Sequence, residues 1–132
     1  MSEERHPDIE VYIKNRSLDT ILEWLGTRCG EVRPLKSVGG THALEVCFEQ
    51  CTVPVMIHEK AAGKAWVSVW FRSDRTPWPR DIDCAHEIAC ALDTQVRCVA
   101  QSWSESNDAE ENEEEWWRVE NGSAEKIQWP NG

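Results

Sequence analysis

The segment from Lys64 to Arg72, KAWVSVWFR, alternates strictly between two sets of side chains. Ala65, Val67, Val69 and Phe71 form one set, and Trp66, Ser68, Trp70 and Arg72 the other. An extended strand sends the two sets to opposite faces. The first is an ordinary core face. The second carries two tryptophans where a sheet covered on one side normally shows polar residues. Either a further layer covers these indoles or they form a contact surface.

Similar patterns organise the rest of the chain. Ile9, Val11 and Ile13 alternate with Glu10, Tyr12 and Lys14, which predicts a first strand. Ser17 is placed as the N-cap of a helix over 18–29, whose apolar stripe is Leu18, Ile21, Leu22, Leu25 and Cys29. Gly30 follows where a left-handed C-terminal cap belongs. Residues 31–38 make a weaker strand, and Pro34 assigns it to a sheet edge because proline cannot donate to a ladder. After the Gly39-Gly40 turn, Leu44, Val46 and Phe48 mark the inward face of one strand, and Val53, Val55 and Ile57 that of the next. Residues 49–52 read as the hairpin loop between them. With the tryptophan strand, 41–72 reads as an antiparallel meander.

A second helix is predicted over 80–93. Ile82, Ala85, Ile88, Ala89 and Leu92 share its apolar arc with Cys84 and Ala91, and Asp81 and Asp83 sit at its positive end. A short strand at 95–100 and a hairpin around Asn121-Gly122 complete the chain. Two registers fit that hairpin, one pairing Arg118 with Glu125 and the other Trp117 with Ile127. The expected fold is a single α+β domain over 1–132. It is a two-layer sandwich with a mainly antiparallel sheet, both helices packed on one face, and a C-terminal β-hairpin. Residues 1–8 read as a loose lead-in and 104–115 as an acidic loop.

Charge narrows the function classes. The formal net charge is −10, and seven acidic residues with no Lys or Arg fall between 105 and 115. Binding to a nucleic-acid backbone is disfavoured, because phosphate contacts need a clustered basic surface. A basic protein partner suits this balance. Eight tryptophans stand against one Tyr and two Phe, and tryptophan serves both cores and interfaces. The start MSEERHPDIE has no apolar signal region, and no run approaches the roughly 18 apolar residues of a membrane span. The six cysteines are therefore expected to be reduced thiols in a cytoplasmic protein, acting mostly as small buried hydrophobes.

Two clusters invite chemistry. Asp83, His86, Glu87 and Cys90 lie along one stripe of the second helix, where His and Cys one turn apart can chelate zinc. The same stripe is also what the solvated face of an amphipathic helix looks like, and paired metal-ligand spacings are missing. Cys47 and Cys51 flank a hairpin loop and can meet across it, but their acidic neighbourhood does not favour a reactive thiolate. No nucleophile-elbow, phosphate-loop, dinucleotide or zinc-protease motif occurs.

The outer sheet face is the richer constellation. Tyr12, Met56, His58, Trp66, Trp70 and Arg72 project together there, and these residue types are enriched at interfaces. The tryptophan-bearing hairpin folding over that face is the competing arrangement, and a homodimer through the face reconciles both. The expected function is a small cytoplasmic, non-catalytic protein-binding module without a cofactor, resembling immunity or inhibitor proteins in composition alone. The alternative is a small metal- or thiol-dependent enzyme centred on the second helix.

Overall fold

In the computed structural model, which describes residues 8–48, 50–60, 65–73, 75–99, 115–120 and 122–128, burial alternates along the first strand. Ile9–Lys14 (β1) buries Ile9, Val11 and Ile13 and leaves Glu10, Tyr12 and Lys14 half-buried on the other side. It is followed by Leu18–Arg28 (α1), Val32–Val38 (β2), Thr41–Phe48 (β3), Cys51–Glu59 (β4) and Trp66–Phe71 (β5). Asp81–Leu92 (α2), Val96–Val99 (β6), Glu115–Glu120 (β7) and Ser123–Gln128 (β8) complete the order. The predicted element order holds throughout.

The strands form one eight-stranded sheet in the order β2-β3-β4-β5-β1-β6-β7-β8, and every pairing is antiparallel. β1 therefore lies inside the sheet, between β5 and β6. Pro34 does sit on an edge strand, beside a register shift between Pro34 and Lys36. Both features discourage a further strand from pairing there. At the other edge, Arg118 pairs with Glu125 across the β7–β8 turn, which selects the shorter of the two registers.

Ile21, Trp24 and Leu25 of α1 and Cys84, Ala85, Ile88 and Ala89 of α2 join the inward strand residues in one continuous core. Helix α2 packs on β1, β6 and β7, and its alanines allow the close approach. The Ser17 hydroxyl caps α1 by accepting from the Thr20 N–H at 3.2 Å. At the start of α2 the capping acceptor is Asp83, which takes the Arg80 N–H at 3.1 Å. The other end of α2 is closed by Arg16, whose guanidinium donates to the carbonyls of Leu92 and Asp93 at 3.0 and 2.8 Å.

Three local expectations are corrected. Gly30 is not a left-handed cap: α1 ends at Cys29 with extended φ −109°, and the Gly30 N–H donates to the Cys47 carbonyl at 2.8 Å. The β3–β4 loop is tighter than expected, with Phe48 already opposite Cys51. That register puts Cys51 on the face of Phe48 and Cys47 on the opposite one, so the two thiols do not meet across the turn. Of the expected lead-in 1–8 and acidic loop 104–115, residues 1–7 and 104–114 lie outside the described residues, as does Glu49. Glu115 opens β7 and is not loop. Among the described residues, no helix is long and apolar enough to cross a membrane.

Trp78, in the connection between β5 and α2, is only 4% exposed and packs against Trp24, Phe48 and Phe71. Trp78→Ala is expected to cost about 3–5 kcal/mol, the range for an aromatic side chain removed from a core. Leu35→Ala, at an edge position 54% exposed, should stay within about 0.5 kcal/mol of the parent. Urea melts of both variants check this, and equal midpoints would contradict the assignment of Trp78 to the core.

Candidate functional site

The outer face of the sheet is built from the alternate residues of the same strands. Its centre is the β5–β1 pair, where Tyr12 stands opposite Ser68, Trp70 opposite Glu10, and Trp66 opposite Lys14. Across β4, Met56 is opposite Trp70 and His58 opposite Ser68. Across β6, Arg97 is opposite Tyr12. The register thus brings Tyr12, Met56, His58, Trp66 and Trp70 onto one contiguous surface. Arg72 follows directly after β5 and holds its guanidinium 4.9 Å from the Trp70 ring centre.

Trp66 is 8% exposed and Ser68 1% exposed, although both lie on the face opposite the continuous core. The Arg97 guanidinium lies over the Trp66 ring at 4.8 Å, a cation–π arrangement that also shields the indole from water. Arg97 is held in place by donating to Gln95 Oε1 at 2.8 Å, and Gln95 in turn donates to Glu120 at 3.2 Å. Burial lowers the affinity of Arg97 for its proton, and Arg118 beside it acts the same way against Glu120. Tyr12 meets Trp116 edge to face, with ring centres 5.4 Å apart. An aromatic nucleus with stacked guanidinium groups therefore occupies this face.

Around Trp70 the face is acidic. The indole N–H donates to Asp8 Oδ2 at 2.7 Å. Burial raises the pKa of the neighbouring Glu10 carboxyl, and Asp8 pushes it the same way while His58 opposes both. Burial and then Glu10 also raise the Tyr12 hydroxyl. His58 shares a hydrogen bond of 3.0 Å between Nδ1 and the Thr41 hydroxyl. Partly desolvated Glu10 and Tyr12 thus lie beside the aromatic rings of this face.

The terminal hairpin does not fold over this face. It continues the sheet beyond β6, with Trp116 on its outer side reaching Tyr12 and Trp117 packing against the core on the other side. Trp129 lies outside the described residues. Sequence patterning put Glu10 on the side of Tyr12 and brought Trp116 to the face only with the hairpin folded over it, and it did not assign Asp8 or Arg97 there. Asp8 fell in the assumed lead-in. Arg97 and Trp116 become neighbours of Tyr12 only once β6 and β7 are known to follow β1.

Two of the four residues of the α2 stripe, Asp83 and Glu87, are engaged elsewhere. Asp83 caps the helix and also takes the Arg80 guanidinium at 3.3 Å. Glu87 accepts the Trp78 indole N–H at 2.9 Å and pairs with Arg28 of α1. His86 is half-buried and Cys90 exposed. Among the described residues, no group of three or more His, Cys, Asp or Glu side chains is placed to hold a metal ion. Comparison with protein-family models, curated proteins and solved structures finds no match for this chain.

All six cysteines are free thiols. Burial pushes Cys29 up to about 11, with Arg28 opposing and Cys47 and Glu87 adding to the rise. Burial also raises Cys84 and Cys98, helped by nearby acidic groups. Because the thiolate is the reactive form, a thiol reagent at neutral pH should modify Cys90 first and reach these three only after unfolding. Peptide mapping of the labelled protein checks this, and modification of Cys84 in the folded chain would contradict it.

Glu10 generates a pH prediction. Its folded-state pKa lies above the unfolded one, so its contribution to stability is present at acid pH and lost as pH rises through the folded value. Glu10→Gln should therefore be more stable than the parent at pH 7, with the advantage fading by about pH 4. Urea melts at the two pH values measure it, and a variant less stable at pH 7 would contradict the desolvated placement.

Proposed function

We propose that this chain is a small cytoplasmic protein-binding module of two-layer build whose binding face is non-catalytic. The helices fill one face of the sheet, and Tyr12, Met56, His58, Trp70 and Arg72 on the other, with Trp66 as their buried support, engage a protein partner. The observation that carries this reading is Trp66. It is a buried apolar residue outside the continuous core, on a face to which neither helix contributes a core residue. A stable fold built on the helix-bearing core has no evident need for an aromatic nucleus on its far side. A binding surface does, because Trp, Tyr and Arg dominate interface energetics when held rigidly.

Trp66 supports the surface from beneath Arg97, while Tyr12, Met56, His58 and Trp70 are only half-buried. Arg72, exposed and stacked on Trp70, is presented with little freedom left to lose on binding. A net charge of −10 favours a basic partner and faster encounter with it. Free thiols suit a reducing compartment. The chain resembles immunity and inhibitor proteins in its acidic composition alone, and it is read in that class on that ground.

The test separates surface from support. Arg72→Ala and Met56→Ala should weaken association with a captured basic partner at least tenfold while leaving the urea midpoint nearly unchanged. Sedimentation of the isolated chain distinguishes a hetero-partner from a second copy. Unchanged association in both variants, measured alongside an unchanged fold, would contradict the assignment of this face.

A further inference from the structure

At the Gly39–Gly40 end of the sheet, three side chains from three adjacent strands form a hydrogen-bonded line. The Ser37 hydroxyl on β2 lies 2.8 Å from His42 Nδ1 on β3, and His42 Nε2 lies 2.7 Å from Glu59 Oε2 on β4. The register makes this arrangement: Ser37 stands directly opposite His42, and Glu59 is two residues beyond Ile57, the residue opposite His42. All three share the sheet face of Leu44 and Ile57, away from the aromatic surface described above.

The order of proton donors follows from the chemistry of the ends. An ionised Glu59 can only accept, so the imidazole N–H sits on Nε2. That leaves the lone pair on Nδ1 facing Ser37, whose hydroxyl donates to it. Serine, base and orienting carboxylate are thus in the relation that activates an alcohol nucleophile, with the two ring nitrogens exchanged relative to the serine-protease arrangement. The His42 side chain is only 16% exposed, which fixes the ring, whereas Ser37 is exposed to reagent. The flanking turn carries no side chains, and φ is +63° at Gly39 with open space where a Cβ would stand.

We propose that Ser37 is a nucleophilic acylation site, activated by His42 and oriented through Glu59, that takes small activated carboxylic esters. Ser37 Oγ attacks the ester carbonyl as its proton passes to His42 Nδ1, forming the Oγ–acyl bond. The ester C–O bond then breaks, and the leaving alcohol takes the proton from His42. Water attacking the acyl-serine by the reverse sequence releases the carboxylic acid and restores the serine. His42 touches the reacting oxygen and is catalytic, whereas Glu59 acts through His42 and is a positioning residue.

The probe is p-nitrophenyl acetate with the full chain. The expected result is a burst of nitrophenol matching one site, with the mass of one acetyl group mapped to Ser37. Ser37→Ala should abolish that adduct. His42→Gln should slow its formation about 100-fold, the lower range for loss of general-base catalysis. Glu59→Gln should slow it less, and Glu59→Asp should restore part of the rate, which a purely structural role would not do. Circular dichroism of each variant confirms folding. Acetylation confined to lysines, or a Ser37 adduct formed equally fast in folded His42→Gln, would overturn the proposal.

Discussion

The ring of Trp78 is where the sheet, both helices and the long connection between β5 and α2 are tied together. It stacks on Trp24 of α1 at 6.1 Å, meets Phe48 of β3 edge-on at 5.4 Å, and leans on Phe71 of β5 at 5.1 Å. Its indole N–H would be costly to bury without a partner. Glu87 of α2 supplies one and also holds Arg28, which lies over the ring 5.4 Å from its centre. One side chain therefore fixes the position of α1 against α2 and of both against the sheet. The residues of the continuous core and those of the outer face alternate along the same strands.

That alternation is what lets one sheet carry two different surfaces. Val67, Val69 and Phe71 of β5 belong to the continuous core, while Trp66, Ser68 and Trp70 between them build the outer face. The outer residues are packed laterally: Arg97 over Trp66, Arg72 over Trp70, Trp116 against Tyr12. Lateral packing fixes rotamers without hiding the whole face, and fixed aromatic and arginine side chains lose little freedom on binding. The Ser37–His42–Glu59 line sits apart from both, beyond the core residues Leu44 and Ile57.

Much of this was legible in local pattern. Alternation in 9–14, 41–59 and 66–71 located the strands and assigned their faces, and the 3.6-residue stripes of Leu18–Cys29 and Ile82–Leu92 located the helices. Pro34 marked an edge because its missing donor is a purely local constraint. What remained hidden was long-range order. Nothing local says that β1 inserts between β5 and β6, and without that step Arg97 and Trp116 have no reason to meet Trp66 and Tyr12. The same gap concealed the role of Glu87, which read as part of a free polar stripe until Arg28 and Trp78 are seen beside it. Ser37 and His42 flank the Gly39-Gly40 turn five residues apart, whereas Glu59 joins them only through the β3–β4 register.

Trp24 and Trp78 sit in the closed core and Trp66 is covered by Arg97, whereas Trp70 meets solvent on the outer face. Fluorine NMR of the 5-fluorotryptophan protein, with each signal assigned by single Trp→Phe variants and a soluble gadolinium chelate as the probe, measures this directly. The account predicts marked broadening of the Trp70 resonance while those of Trp24 and Trp78 stay sharp. A Trp70 signal as protected as that of Trp78 would contradict it.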